Sequence, residues 1–428
     1  MVLQGPDFQK HVLVLVGLPA RGKTFVARKM ARYLSWLGYR TRTFNVGEYR
    51  RAIAGAKQPA SFFAPDAEHR ELRERIAMKT LDDLLEYLDE RGDVAIYDAT
   101  NTERARRRRV YERCKAAGAQ VIFVESICED QAVVEANLRE NKARSPDYAG
   151  MDAEAAIADF RERIAQYERT YAPVDDEDRC YVKLIDVGRK VVVNRMQGYL
   201  GARLVFFLMN LHSGRRKIWL TRHGESEFNV ENRIGGDPPL SDRGRIYAHS
   251  LAEFFAEQKP ERLEAWTSSL QRSVSTAAPL GVPKLARRAL DEIDAGICDG
   301  MTYQEIREQL PAEYRARAAD KFRYRYPEGE SYMDVIQRLE PIIFDLERQK
   351  NPVLVVAHHA VARALYAYLM GRAQEDTPHV PVPLHTLIEL TPTAYGYEEK
   401  RFELAPYINT EDTLHPMSVG APPLPSIR

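Results

Sequence analysis

The sequence predicts two α/β domains in tandem, each built on a mostly parallel sheet. Two observations carry that prediction. Short apolar runs of strand length alternate with charged, helix-compatible stretches, and the alternation starts twice, near His11 and again near Lys217. Length agrees, because 428 residues are more than one domain of roughly 150 residues accounts for.

In the first half, His11–Val16 reads as a buried parallel strand. A glycine-containing turn leads from it into a helix running from Lys23 to about Leu37. Further strands are predicted at Val94–Tyr97, Val121–Val124 and Val182–Ile185, with helices over Ala67–Asp89 and Ala153–Tyr171. The stretch Val191–Asn210 is mixed and ends in His212-Ser-Gly-Arg-Arg216, where the domain junction is placed, dividing 1–213 from 214–428. In the second half, Lys217–Thr221 is a strand, Asp242–Gln258 a helix and Leu263–Ser268 a short strand region. Ser331–Lys350 is a long amphipathic helix, followed by the strand Val353–Ala357 and the helix Ala360–Leu369. After Thr410 the chain is rich in Pro, Ser and Gly, which predicts a poorly ordered tail.

Lys+Arg and Asp+Glu both number 62, so no net charge draws the chain to nucleic acid or to an acidic membrane. The apolar run Val12–Val16 is far too short to span a bilayer, and Met1–Lys10 carries no signal-like apolar region. Cys114, Cys128, Cys180 and Cys298 are widely spaced with no C-x-x-C pair. That argues against a zinc site or disulfide framework and for a reducing compartment, with the cytoplasm as the expected location.

Gly17-Leu18-Pro19-Ala20-Arg21-Gly22-Lys23-Thr24 fits G-x-x-x-x-G-K-[ST] between a strand and a helix. Its backbone N–H groups can wrap the phosphates of ATP, Lys23 can reach the β/γ phosphates, and the Thr24 hydroxyl can ligate Mg²⁺. Asp98 ends the strand Val94–Tyr97, where it can hold Mg²⁺ directly or through water, or accept the proton of an attacking hydroxyl. The run Arg104–Arg109 is either a solvated helix face or part of the site.

These features identify a P-loop phosphotransferase or NTPase and leave the acceptor open. Several stretches resemble the 6-phosphofructo-2-kinase family: the P-loop itself, Phe44–Arg51, Tyr97–Thr102, Glu125–Asp130, Asn137–Lys142, Ser145–Tyr148 and Ile185–Arg189. The resemblance covers most of residues 11–212 and implies a P-loop NTPase-like fold, with ATP as co-substrate. It implies nucleotide contacts from the P-loop and from Asn137–Lys142, with Lys142 neutralising the transferring phosphoryl group. It implies fructose 6-phosphate contacts from Arg50, Arg73, Thr100, Arg106, Lys142, Arg163 and Tyr167. Cys128 falls on a position linked to the family's active site, whereas the residue taken alone reads as a buried structural cysteine.

In the second half, Leu220-Thr-Arg222-His223-Gly-Glu-Ser-Glu-Phe-Asn229 follows an apolar strand. A neutral imidazole there can attack phosphorus while guanidinium groups hold the phosphate oxygens. His358 ends the apolar strand Val353–Ala357, and the carboxyl ends of such strands are where ligands bind. A dinuclear metal centre is the competing reading, and it would need carboxylates clustered near the histidines.

The R-H-G-E-x-x-x-N string is similar to the signature of the histidine phosphatase (phosphoglycerate mutase-like) superfamily. The stretches Arg233–Asp237, Trp266–Arg272, Asp291–Gly296, Tyr324–Tyr332 and Pro383–His385 resemble the fructose-2,6-bisphosphatase domain, over about residues 217–400. This implies that His223 becomes phosphorylated, with Arg222, Arg272 and His358 stabilising the phosphoryl group and Asn229 nearby. Glu292 would be the general acid and then the base. Gly235, Tyr303, Arg317, Lys321, Tyr332, His359 and Arg363 would hold the rest of fructose 2,6-bisphosphate. His359 departs from the family, which usually has glutamine there, so altered substrate affinity or pH dependence is expected without loss of chemistry.

Taken together, the expectation is a bifunctional enzyme that makes and hydrolyses fructose 2,6-bisphosphate, regulates the balance of glycolysis and gluconeogenesis, and forms a homodimer through its kinase halves. Long regulatory extensions are expected to be missing or very short. The alternatives are that only one head is active, that the chain is a non-catalytic sugar-phosphate sensor, or that the acceptor is a nucleoside or tRNA.

Overall fold

The computed structural model of the protein describes residues 9–64, 67–144, 146–178, 180–186, 188–212, 214, 216–393 and 396–405, without the side chains of 67–68 and 140–144. The predicted tail after 410 lies outside the described residues. The chain divides into two units, Met1–Ser213 and Gly214–Arg428. Among the described residues no helix is long and apolar enough to cross a membrane.

The first unit is a six-stranded sheet: β1 His11–Val16, β2 Thr41–Asn45, β3 Val94–Asp98, β4 Gln120–Ile127, β5 Tyr181–Ile185 and β6 Lys190–Asn194, in the order β2-β3-β1-β4-β5-β6. All pairings are parallel except β5 with β6. β1 lies centrally and every residue of it is buried, which is why its sequence is an apolar run without alternation. The helices are α1 Lys23–Trp36, α2 Val46–Ala54, α3 Ala67–Glu90, α4 Arg104–Ala116, α5 Gln131–Arg144, α6 Ala153–Glu168 and α7 Gly198–Met209. The mixed stretch 191–210 thus resolves into most of the edge strand β6 and helix α7, and the helix expected to reach Tyr171 stops at Glu168.

In α4 the arginine run is neither wholly a solvated face nor wholly part of a site. Arg108 is exposed beside Glu112, whereas Arg107 is fully buried and pairs with Asp178 through Nε at 2.8 Å and a terminal nitrogen at 3.0 Å. Arg107 also donates to the carbonyls of Asn101, Thr102, Ala172 and Pro173. It thereby ties the loop after β3 to the segment that follows α6.

The second unit has β7 Ile218–Arg222, β8 Glu264–Thr267, β9 Lys284–Ala286, β10 Val353–Ala357, β11 Thr386–Thr393 and β12 Gly396–Glu403, in the order β12-β11-β7-β10-β8-β9. Strands β7 to β10 are mutually parallel, and the hairpin β11–β12 adds two antiparallel strands at one side. The helices are α8 Glu227–Val230, α9 Asp242–Gln258, α10 Gln271–Ala277, α11 Tyr303–Gln309, α12 Pro311–Ala319, α13 Tyr332–Arg348 and α14 His359–Met370. Ser331 caps α13 reciprocally with Asp334, which fixes the start of the amphipathic helix. The apolar sequence of α14 reflects its burial on nearly every side. In both units, strands β1, β3, β7 and β10 deliver their C-terminal ends to the loops that carry the motifs.

Candidate active sites

In the first unit the P-loop turns sharply because glycine permits it. Gly17 has φ of 138°, and a Cβ there would meet the Ser126 carbonyl oxygen at 2.5 Å. Gly17 N–H donates to the Thr100 carbonyl at 2.9 Å, which joins the phosphate loop to the loop after β3. Ser126 Oγ donates to the Arg21 carbonyl, and Asn137 Nδ2 donates to the Ala20 carbonyl at 3.1 Å. Leu18 and Pro19 complete the turn, and Gly22 is the left-handed residue before α1.

Lys23 Nζ donates to the Leu18 carbonyl at 2.6 Å. Burial pushes its pKa down to about 8, although Asp98 opposes the shift. Thr24 Oγ1 and Asn45 Nδ2 both donate to Asp98 Oδ2, at 2.9 and 2.5 Å. Burial raises the Asp98 carboxyl, against the pull of Thr24, Lys23 and Asn45. Cys128 packs in an apolar cluster with Val134, Leu138 and Ile164, against Ala20, and burial pushes its thiol up. The geometry therefore places it as packing beneath the phosphate loop. The side chain of Lys142 lies outside the described residues.

Arg50, Arg73, Thr100, Arg106, Arg163 and Tyr167 all line one cavity, together with Phe63, Thr102 and Gln166. Each arginine is braced. Arg50 places one terminal nitrogen 2.7 and 2.5 Å from the two Asp147 oxygens, and Arg163 reaches Asp147 at 3.4 Å. Arg163 also lies over the Phe63 ring at 3.7 Å. Burial pushes the Asp147 carboxyl up, but Arg50, Arg163 and Arg51 outweigh it and hold it below its ordinary value. Arg106 pairs with Glu74 at 2.8 Å, and Arg73 donates to the carbonyls of Phe62 and Ala64. Four cations around one cavity suit an anionic ligand.

In the second unit, Arg222 ends β7 and His223 follows it, its N–H donating to the Ala357 carbonyl of β10 at 2.9 Å. The two motif histidines meet with ring centroids 5.0 Å apart. His223 Nδ1 lies 2.6 Å from the Gly224 carbonyl oxygen, so it carries the hydrogen. Nε2 keeps its lone pair and accepts from Arg272 Nε at 3.2 Å. Burial, then Arg272 and Arg222, hold the His223 pKa well below the ordinary value, so the ring is neutral. His358 Nε2 is bonded to Ser268 Oγ at 2.7 Å, while its buried Nδ1 has no partner among the described residues.

Glu292 accepts backbone N–H groups from Ile293 at 3.0 Å, His359 at 3.0 Å and Ala360 at 3.2 Å. Its carboxylate thus sits at the N-terminus of α14, where His358 precedes the helix. Arg338 braces the chain behind it by donating to the carbonyls of Ala289, Asp291 and Glu292. Asn229 Oδ1 is taken by Ser226 N–H and Oγ. Gly235 has φ of 74°, and a Cβ would overlap Asp299 Oδ1 at 1.6 Å.

Farther along, Arg317 is bonded to the hydroxyls of Tyr303 and Tyr326, each at 2.8 Å. Lys321 donates to the Pro378 carbonyl, and Arg363 to the Val380 carbonyl and the Tyr332 hydroxyl. Burial, then Arg363, Arg222 and Lys321, keep His359 unprotonated.

Sequence reasoning missed Asp147, Glu74, Phe63, Ser268, Tyr326 and Arg338 as parts of these sites. Asp147, Ser268 and Tyr326 fall inside stretches that carry the resemblance, which was their only signal. The others act by bracing an arginine or a backbone carbonyl and have no characteristic spacing.

The family model for 6-phosphofructo-2-kinase matches residues 3–215, and that for the histidine phosphatase superfamily (branch 1) matches 218–404. A 6-phosphofructo-2-kinase/fructose-2,6-bisphosphatase from Gallus gallus is 49% identical over 90% of this chain and 83% of its own length. Isoform 4 from Homo sapiens is 47% identical over 96% of this chain and 89% of its own. One from Arabidopsis thaliana is 49% identical over 94% of this chain, which spans only 55% of that relative. With identity near one half over 90% or more of its length and a family model matching each unit, the chain belongs to the 6-phosphofructo-2-kinase/fructose-2,6-bisphosphatase family.

Proposed function

We propose that the first unit transfers phosphate from ATP to the 2-hydroxyl of fructose 6-phosphate, and that the second unit returns the product to fructose 6-phosphate and phosphate. The observation that carries this reading is the pairing of a four-arginine cavity beside the P-loop with a neutral histidine whose Nε2 lone pair faces Arg272. The steady level of the bisphosphate, and through it the balance of glycolysis and gluconeogenesis, would follow the ratio of the two rates.

In the first unit the P-loop amides and Lys23 hold the ATP phosphates. Arg50, Arg73, Arg106 and Arg163 hold the sugar phosphate, and Thr100, Tyr167 and Lys142 complete the contacts. Thr24 and Asp98 offer hard oxygen donors within 2.9 Å of each other, a set that fits Mg²⁺. When bound there, the ion would neutralise charge on the phosphates of ATP. This chemistry depends on positioning and charge more than on covalent help from the protein.

In the second unit His223 Nε2 attacks the 2-phosphate and the bond to the sugar oxygen breaks. Arg222, Arg272 and the unpartnered Nδ1 of His358 stabilise the oxygens, with Asn229 Nδ2 nearby. Glu292 protonates the departing sugar oxygen and then takes a proton from the water that cleaves phosphohistidine. Tyr303, Arg317, Lys321, Tyr332, His359 and Arg363 hold the rest of the sugar phosphate, and Gly235 lets the chain pass close to Asp299.

The test is incubation of purified protein with ATP and fructose 6-phosphate. His223→Ala should accumulate more bisphosphate than the unaltered chain, and Lys23→Ala should make none yet still hydrolyse added bisphosphate. Failure of the product to rise in His223→Ala means an idle phosphatase or a dead kinase. Acid-labile, base-stable label on His223 from 2-labelled substrate separates an enzyme from a sensor.

A homodimer through the first units is part of the same reading. Strand β6 ends the sheet order and pairs on one edge only among the described residues. Tyr199, Phe206 and Met209 of α7 and Val193 of β6 are exposed, an apolar set of the kind that subunit contacts cover.

A further inference from the structure

We propose that His385 is a positioning residue for the nucleophile, fixing which nitrogen of His223 carries the hydrogen by holding the Gly224–Glu225 peptide. This rests on the phosphohistidine reading above. One peptide unit links the two rings. Its carbonyl, from Gly224, accepts His223 Nδ1–H at 2.6 Å. Its N–H, from Glu225, donates to His385 Nε2 at 3.1 Å. His385 Nδ1 in turn lies 3.2 Å from the Ala405 carbonyl, so it carries the hydrogen and leaves Nε2 as an acceptor.

A peptide whose N–H is engaged presents a more negative carbonyl oxygen, because hydrogen bonds in a chain polarise one another. The Gly224 carbonyl therefore holds His223 Nδ1–H more firmly, and the His223 lone pair stays on Nε2, the side of Arg272. Loss of the His385 acceptor frees the peptide to turn and lets the hydrogen move to Nε2, where it blocks attack.

The rest of the fold holds His385 for this task. Its ring is buried and stacks on Tyr247, with centroids 4.6 Å apart and planes 6° from parallel. Tyr247 OH is hydrogen-bonded to Thr221 Oγ1, one residue before Arg222. His385 has φ of 58°, a left-handed conformation that glycine adopts without strain and other residues keep only where the surroundings hold them. Leu404 N–H holds it there through the His385 carbonyl at 3.0 Å. Burial pushes the His385 pKa down to about 4, consistent with a neutral ring. Both ring nitrogens have backbone partners, so the residue acts through the peptide and not on the substrate.

The test compares His385→Phe, which keeps an aromatic face for Tyr247, with His385→Gln, which keeps an acceptor near the Nε2 position. Histidine ¹⁵N spectra of the full chain give the tautomers. In His385→Phe, bisphosphatase kcat should fall roughly ten- to a hundredfold, less than the ~10⁴-fold loss when the orienting partner of a catalytic histidine is inverted outright. KM should stay within about twofold and His385→Gln should recover kcat to within about threefold, as expected for an interaction felt in the transition state. The kinase rate should not move, and the Phe variant should show His223 partly protonated at Nε2. Unchanged kcat in the Phe variant, equal losses in the Phe and Gln variants, or wild-type His385 protonated at Nε2 would overturn the proposal. Should the Phe variant unfold, the Gln variant and the wild-type spectrum still decide. A wild-type chain that does not hydrolyse the bisphosphate defeats the phosphohistidine reading instead, while the tautomers still judge the relay.

Discussion

Lys23 shows how a single residue sets conditions for a reaction. Without nucleotide its ammonium is bonded to the Leu18 carbonyl, and burial brings its pKa down to about 8. ATP phosphates favour the charged form, so binding above pH 8 must take up a proton. The kinase KM for ATP should then rise, by up to about tenfold per pH unit beyond 8. Titration calorimetry in buffers of different ionisation heats reads the same proton, and a flat KM between pH 8 and 9.5 with no proton uptake would refute it. The same linkage acts on folding. A lysine whose folded pKa is lowered destabilises the fold below that pKa, and stability recovers as pH rises from about 8 toward the unfolded value. His359 works in the acid range. Burial, and then the nearby cations Arg363, Arg222 and Lys321, keep it neutral in the free enzyme, and an anionic substrate draws a proton onto it. Bisphosphate affinity should increase as pH falls below about 6.5, the ordinary histidine value. His359→Gln should lose that increase and keep kcat. An identical pH dependence of KM in the two proteins would exclude the role. Lys23, His223 and His358 were legible in the sequence because their chemistry needs fixed spacing beside a strand. Asp147, Ser268 and His385 lie in stretches that carry the resemblance, but their roles were not legible, because each meets its partner only after long segments of chain have folded.

At the level of elements, Glu292 joins catalysis to helix α14. Its carboxylate accepts the first two N–H groups of that helix. Replacing it separates the two tasks. Glu292→Gln keeps an acceptor, so its thermal midpoint should stay near that of the parent, while bisphosphatase kcat falls by roughly 10²- to 10⁴-fold. Glu292→Ala should lose comparable activity and also roughly 0.5–2 kcal/mol of stability, the usual cost of removing a helix cap. Equal stability of the two variants, measured by denaturant unfolding of the second unit, would show that the cap contributes nothing. Elements differ in how plainly the sequence announces them. β1, β3 and β10 are buried on both faces, so each is an apolar run. β2 reads Thr-Arg-Thr-Phe-Asn with only Phe44 buried, and β12 is an edge strand dominated by charged residues. Neither has an apolar run, because neither is covered on both sides.

For the molecule as a whole, the repeated α/β alternation was legible, because each unit needs its own core and so its own set of apolar strands. The antiparallel hairpin β11–β12 was not, since partly polar strands beside a parallel sheet resemble loops. Assembly was read only from resemblance. The exposed Tyr199, Phe206 and Met209 on α7 make it testable. Phe206→Asp combined with Tyr199→Asp should shift the sedimentation coefficient from dimer to monomer, with bisphosphatase kcat changed by less than about twofold, as for surface changes remote from a site. A parent chain that already sediments as a monomer removes the dimer from the proposal.

The lone pair on His223 Nε2 has a stereochemical consequence. It points to one side only, so the phosphoryl group leaves the sugar with inversion at phosphorus. Water must then arrive from the side the sugar vacated, and it inverts the centre again. A bisphosphate whose 2-phosphate is a chiral thiophosphate carrying two oxygen isotopes, hydrolysed in water of the third, should therefore release inorganic thiophosphate with retained configuration. Direct transfer in the first unit inverts once. Transfer in the first unit would thus reverse the handedness of a labelled phosphorus atom, and hydrolysis in the second would leave it as received.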